Sequence, residues 1–293
     1  MRNYQLPIAA LFFLLSPPPC SITSPPLNAP PVAEVRPRRW SIHLAIIGAF
    51  PIFIGVLGWG RNYALHEPAL SHGTRGLLVA CALELLLFSV IFGLAWLASR
   101  ASKDDLLLRW RYGFWTVPIG IGYSVAIRII LAIIIGVLGG ILILSKLVTP
   151  EQLRHFVAAN RPDVESLVDI SALRNNPVYF WLTITLVSFI IGGLREELWR
   201  GAFLAALRNI WPNTFASRVG EFVAVAIAAV LFGLGHMAQG LLAVCVTGIL
   251  GFLLGVIMVL HRSIWPAVIA HGMFDATSLA LLPWVSEYLP KLH

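Results

Sequence analysis

What most constrains this chain is the way its apolar residues are gathered. They fall in long runs, separated by short links rich in arginine or proline. A helix needs about 20 predominantly apolar residues to cross a bilayer. Apolar residues make up 58% of the 293 positions and charged residues only 12%, where a soluble domain carries about a quarter. The fold class read from this pattern is all-α, a polytopic helical membrane bundle of about seven to eight transmembrane helices. Spans are read at 43–59, 76–98, 117–144, 179–194, 222–234, 241–260 and 264–282.

The links divide the chain further. Residues 1–37 read as a flexible, Pro-rich leader. Its apolar run, 6–15, is too short to span a bilayer. The PPPC stretch makes a poor cleavage site, and the proline before Cys20 rules out a lipid-attachment signal. Residues 38–146 carry the N-terminal membrane helices. Residues 147–177 form a polar surface segment, read as short amphipathic helices that serve as a connector, with a lid or substrate-docking piece as the alternative. Residues 178–293 form the core that carries the chemistry.

The net charge of +7 follows from arginines in the links, with no basic stripe interleaved with aromatics, so no nucleic acid is expected as a partner. Arg36, Arg38 and Arg39 precede the first span, and Arg100, Lys103, Arg109 and Arg111 follow the second. Both clusters fall on the cytoplasmic side if the first span runs from inside to outside, and Arg262 agrees. Cys20, Cys81 and Cys245 are scattered and show no paired spacing, so neither a disulfide framework nor a cysteine metal site is expected.

Charges within spans are expensive, and each one raises the question of function. Glu84 in the second span and Arg128 in the third are expected to form a structural ion pair with each other. The remaining polar groups come in three sets. EELWRG supplies Glu196, Glu197 and Arg200; FGLGH supplies Phe232 and His236; HGMFD supplies His271 and Asp275. Residues four apart share a helix face, so His271 and Asp275 point together into the bundle, and Phe232 lies one turn below His236. Buried imidazoles and carboxylates need partners, which in hydrocarbon must come from neighbouring helices. The three sets are therefore expected to meet.

A glutamate near an imidazole can act as general base toward a water, and a second imidazole can face a developing oxyanion. The same parts, as Glu196, His236 and His271, could hold a zinc ion. However, no HExxH motif is present, so no cofactor is expected and zinc stays open as an alternative. There is no Gly-x-Ser-x-Gly elbow and no Cys–His pair at helical spacing, so a serine or cysteine nucleophile is unsupported.

EELWRG, FGLGH and HGMFD, in that order in an apolar chain, resemble the three motifs of the CPBP family, the CAAX-prenyl-protease and bacteriocin-processing membrane proteins also called Abi proteins. The resemblance covers roughly residues 179–282. It implies an all-α intramembrane endopeptidase in which a glutamate activates water against a peptide bond. It also implies a peptide or protein substrate arriving from the membrane, with the lipid bilayer as the other partner. The location implied is the cytoplasmic membrane of a bacterium. Carried over by position, Glu196 is the general base, and Glu197 and Arg200 support it as a pair. His271 shares the water with Glu196, and His236 and Asp275 face the oxyanion.

Two departures from the family pattern bear on these roles. Only Leu198 and Trp199 separate the glutamates from Arg200, where the family has three residues. Anchored on the glutamates, the motif makes Glu196 catalytic and pairs Glu197 with Arg200 at i+3. Anchored on Arg-Gly, it makes Glu196 the structural partner and puts Arg195, which cannot serve as a base, in the catalytic place. One residue of slip turns a helix face by about 100°, so either Glu196 or Glu197 is the base, with Glu196 favoured, or the site is impaired. The other departure is Asp275, which stands at an Asn/Asp position. An ionised aspartate repels an oxyanion, so it would help only when protonated or by orienting His271. Two readings from other classes remain: a non-catalytic scaffold or bacteriocin-immunity protein, and a transporter. A transporter would show an internal repeat, and none is visible.

Overall fold

The computed structural model describes residues 35–65, 73–160, 164 and 167–288. The Pro-rich leader lies outside them up to residue 34. The described residues are all-α, with no β-strand among them. The helices are α1 (Val35–Leu65), α2 (Gly73–Ser99), α3 (Thr116–Leu144), α4 (Pro150–Ala159), α5 (Ile170–Asn175), α6 (Pro177–Leu182), α7 (Glu196–Ile210), α8 (Pro212–Phe215), α9 (Arg218–Leu234), α10 (Leu241–His261) and α11 (Trp265–Tyr288). Between α6 and α7 the chain runs as a π-helix, Thr183–Arg195, so that one rod extends from Pro177 to Ile210.

Among the described residues, five helical stretches are long and apolar enough to cross a membrane: Gly73–Ser99, Gly113–Leu144, Pro177–Ile210, Leu241–His261 and Trp265–Val285. These correspond to five of the seven spans read from the sequence. The fifth reading, 222–234, falls in α9, whose 17 residues reach only about 25 Å at 1.5 Å per residue, short of a hydrocarbon core about 30 Å thick. The first falls in α1.

The outer faces of α2 and α3 confirm the solvent. Leu83, Leu86, Ile133, Val137 and Leu138 are all more than half exposed, which suits lipid and would be a large apolar patch in water. The surface segment holds two short helices whose starts are well capped. At α4, Thr149 accepts from the Gln152 backbone while the Gln152 side chain accepts from the Thr149 backbone, a reciprocal capping box. At α5, Asp169 accepts from Ala172 N. In the link between α2 and α3, Asp104 sits in water, where hydrogen bonding to Arg109 holds its carboxyl below the usual range.

α7 is the central helix. From Glu197 to Leu207 every residue except Leu198 is buried, the mark of a helix packed on all sides. Trp199 donates to the Ile47 carbonyl of α1 at 3.0 Å. α1, α2, α7 and α9 share one apolar core through Ile47, Phe88, Phe203 and Val225. α3, α10 and α11 share a second, through Ile127, Leu254 and Val268. The α2–α3 link and the α10–α11 turn are tied by Ile264 N to Leu107 O at 2.9 Å and by the Trp265 indole to Leu108 O at 2.9 Å.

The π-helix packs on α11 through small residues. A Cβ on Gly193 would stand 2.9 Å from the Val268 carbonyl oxygen, and a Cβ on Gly192 would occupy the place of the Asp275 carboxylate. Without a hydrophobic force between helices in lipid, such close approach is what holds them. Gly193→Ala is therefore expected to destabilise the protein by about 1–3 kcal/mol, the usual cost of overpacking. Gly136→Ala on α3, where a Cβ meets nothing within 4 Å, serves as the neutral control in the same unfolding titration.

Candidate active site

The polar cluster sits where the π-helix becomes α7, opposite the first half of α11. Glu197 has no solvent exposure. One of its oxygens accepts from Arg200 Nη1, at i+3 on the same helix, and the other accepts from His271 Nδ1 at 3.0 Å. An unpaired carboxylate here would cost several kcal/mol; two charge-assisted partners offset that.

Arg200 is itself fully buried. Its guanidinium lies over the Phe232 ring, 4.7 Å from the centroid, a cation–π contact. Its Nε and Nη2 find no hydrogen-bond acceptor among the described residues. α10 makes room for it: a Cβ on Gly251 would stand 3.4 Å from Arg200 Nη2, and one on Gly255 would stand 3.5 Å from Arg200 Cδ.

With Nδ1 given to Glu197, the free position of His271 is Nε2. It faces two further carboxylates, Glu196 Oε2 at 3.8 Å and Asp275 Oδ2 at 3.6 Å. Neither distance is a direct hydrogen bond, and such separations are where a water is to be sought. Glu196 differs from Glu197 in access: its side chain keeps 16% exposure. Its other oxygen accepts from Arg195 Nη2 at 2.7 Å.

His236 stands apart. It follows α9, and its Nδ1 meets the Phe232 carbonyl at 2.8 Å. Among the described residues no hydrogen bond or ion pair joins it to either glutamate. Its link to the cluster is Phe232, which touches both imidazoles, with ring centroids 4.7 Å away for His236 and 6.2 Å away for His271. The donor set read as a zinc alternative, Glu196, His236 and His271, is thus not drawn together. Among the described residues no group of three or more His, Cys, Asp and Glu side chains is placed to hold a metal ion.

The structure corrects one pairing. Glu84 does not meet Arg128; it bonds Arg195. Arg128 donates to the Ser124 hydroxyl of its own helix at 2.7 Å and turns to α11, donating to the Phe274 carbonyl at 2.6 Å and to the Thr277 hydroxyl, with its guanidinium over the Phe274 ring. The reason is packing order: α3 lies against α11, whereas α2 meets the π-helix and α1. Arg195 and Glu84 are the members that motif spacing did not supply. The signal available was the charge itself, a second in-span arginine beside the motif. Spacing alone does not say which helix faces it.

Residues 177–277 match the type II CAAX prenyl endopeptidase Rce1-like family. The match takes in all three motifs and bears out the family resemblance. Together with the apolar helices, it supports an integral membrane protein in which residues 177–277 are similar to CAAX-type proteases. Glu84 lies outside the matched segment. No curated protein and no solved structure is similar enough to the chain to match it.

The buried clamp has a measurable signature. Arg200→Leu leaves Glu197 charged without its main partner and is expected to cost about 3–5 kcal/mol. Replacing both partners, as Glu197→Met with Arg200→Leu, should recover much of that loss, because no buried charge is then left uncompensated. Unfolding of the purified variants in bicelles would decide between this and independent, additive losses.

Proposed function

We propose that the chain is an intramembrane endopeptidase in which Glu196 activates a water molecule against a peptide bond of a membrane-associated substrate. The observation that supports this most is the division of labour between the adjacent glutamates. Glu197 is sealed and has both oxygens committed, whereas Glu196 keeps one oxygen, Oε2, directed toward His271 Nε2 at 3.8 Å and retains access. A base needs a free oxygen and a route for water; of the two glutamates, Glu196 has both.

In this reading Glu196 accepts a proton as the water oxygen attacks the peptide carbonyl carbon. The carbonyl oxygen takes the negative charge. The oxyanion then collapses and the C–N bond breaks as Glu196 returns the proton to the leaving nitrogen, giving a carboxylic acid and an amine, between which a proton then passes to leave carboxylate and ammonium. Glu197 holds the His271 ring through Nδ1 and so presents Nε2 to the water, and once the ring is protonated Nε2–H donates to the oxyanion. Arg200 keeps Glu197 ionised and in place. Asp275, 3.6 Å from Nε2, orients the imidazole from the other side, which suits an aspartate better than facing an oxyanion directly. His236, with Nδ1–H on the Phe232 carbonyl, keeps Nε2 as an acceptor, so it serves to hold a water or a substrate N–H. No step here is routed through a metal ion.

The charge pairing also favours a second reading, a scaffold whose polar cluster only locks the helices, because Glu196 is bonded to Arg195 as Glu197 is to Arg200. Cleavage separates the two. Purified protein in liposomes, given a mixture of membrane-inserted peptides and read by mass spectrometry, should release fragments. Glu196→Gln should lower the rate by about 10²–10⁴-fold, the usual worth of a general base. A Glu196→Gln, Glu197→Gln variant that cleaves at the full rate would exclude a glutamate base, and one that keeps full biological activity without cleavage would exclude the peptidase reading.

A further inference from the structure

Arg195 is the last residue of the π-helix, and each arm of its guanidinium is in use. Nε donates to the Ile191 carbonyl at 3.1 Å, Nη1 to the Glu84 carboxylate, and Nη2 to Glu196 Oε1 at 2.7 Å. Its side chain is 9% exposed, and that of Glu84, reaching across from α2, is 28% exposed. Left with one carboxylate, a guanidinium tends to grip both oxygens with its planar fork. Here Glu84 claims one prong. Glu196 is therefore held by a single oxygen, and Oε2 stays open toward His271.

We propose that Glu84 and Arg195 are positioning residues for Glu196: Glu84 occupies one prong of Arg195 so that Arg195 fixes Glu196 through Oε1 alone and leaves Oε2 facing the site. The inference rests on the reading of Glu196 as the base. It adds a contribution from α2, outside the family-matched segment, to a site otherwise built from α7, α9 and α11. Charge supports the same arrangement. Arg195 alone beside Glu196 would neutralise it, whereas Glu84, Arg195 and Glu196 together keep one net negative charge. The other charged groups around Glu196 are His271, with Glu197 and Asp275 beyond it, and Arg200 behind Glu197. None of these touches Arg195.

The test reads Glu196 itself and needs no substrate, so it can fail without touching the peptidase reading. Full-length protein with carboxyl-¹³C glutamate is placed in phosphatidylcholine nanodiscs. The Glu196 carboxylate bands are isolated as the infrared difference from Glu196→Gln. Glu84→Gln should change the splitting between the symmetric and antisymmetric stretches of Glu196, although Glu84 does not touch it, as Arg195 closes on both oxygens. Glu84→Asp, which keeps the charge, should retain the wild-type bands. Arg195→Gln and Arg195→Lys should also shift them. Because Glu84 acts through Arg195, adding Glu84→Gln to Arg195→Gln should cause no further shift. Circular dichroism and a melting curve on each variant establish that it is folded. Unchanged bands in Glu84→Gln, or a double variant whose shift is the sum of the single ones, overturns the proposal and leaves the pair as a helix staple.

Discussion

A carboxylate without solvent exposure, clamped between a guanidinium and an imidazole inside an apolar helix bundle, is the contact on which the rest depends. Glu197 cannot stay ionised in that position unless Arg200 and His271 both reach it. Arg200 then needs cover of its own, given by Phe232, and space, given by Gly251 and Gly255. His271 needs α11 pressed against the π-helix, which the glycines at 192, 193 and 272 permit. The central position of α7, the short α9 and the close α10 contact are thus consequences of seating one ion pair in a medium that solvates none.

The clamp also separates the tasks of neighbouring side chains. Glu196 and Glu197 are the same residue type one position apart, yet one is locked and the other is left with an open oxygen. The difference comes from helix geometry: about 100° of rotation sends Glu197 inward toward Arg200 and His271, and leaves Glu196 at the seam with α2. Arg195 and Glu84 then stand on one side of Glu196, and His271 and Asp275 on the other.

Much of this was legible in the sequence, and the illegible parts have identifiable causes. Long apolar runs dictate helices, because nothing else satisfies the backbone in lipid, so the all-α class follows from composition and run length. The i, i+4 spacing of His271 and Asp275 and the i, i+3 spacing of Glu197 and Arg200 place each pair on one face, and the structure has both pairs together. Contacts between helices were not readable in the same way. Glu84 and Arg128 are opposite charges on consecutive spans and looked like partners, but pairing depends on which helices are neighbours, and α3 turned to α11. The π-helix was not legible either, because an apolar stretch such as Thr183–Arg195 with Thr, Ser and Gly on it reads equally well as an ordinary α-helix. His236 matched its motif yet stands off from the glutamates, joined through Phe232, because a four-residue spacing fixes the histidine relative to its own helix only.

The central claim is that water, activated by Glu196, is the nucleophile. The most direct measurement is a single turnover of a cleaved membrane peptide by excess protein in H₂¹⁸O, with the new carboxyl terminus and the intact protein both weighed by mass spectrometry. Direct attack by water predicts one ¹⁸O in the new terminus and none in Glu196, with no acyl adduct on the protein. An unlabelled terminus followed by ¹⁸O in a glutamate, or a trapped acyl-protein, would show a side chain as the nucleophile and contradict the account.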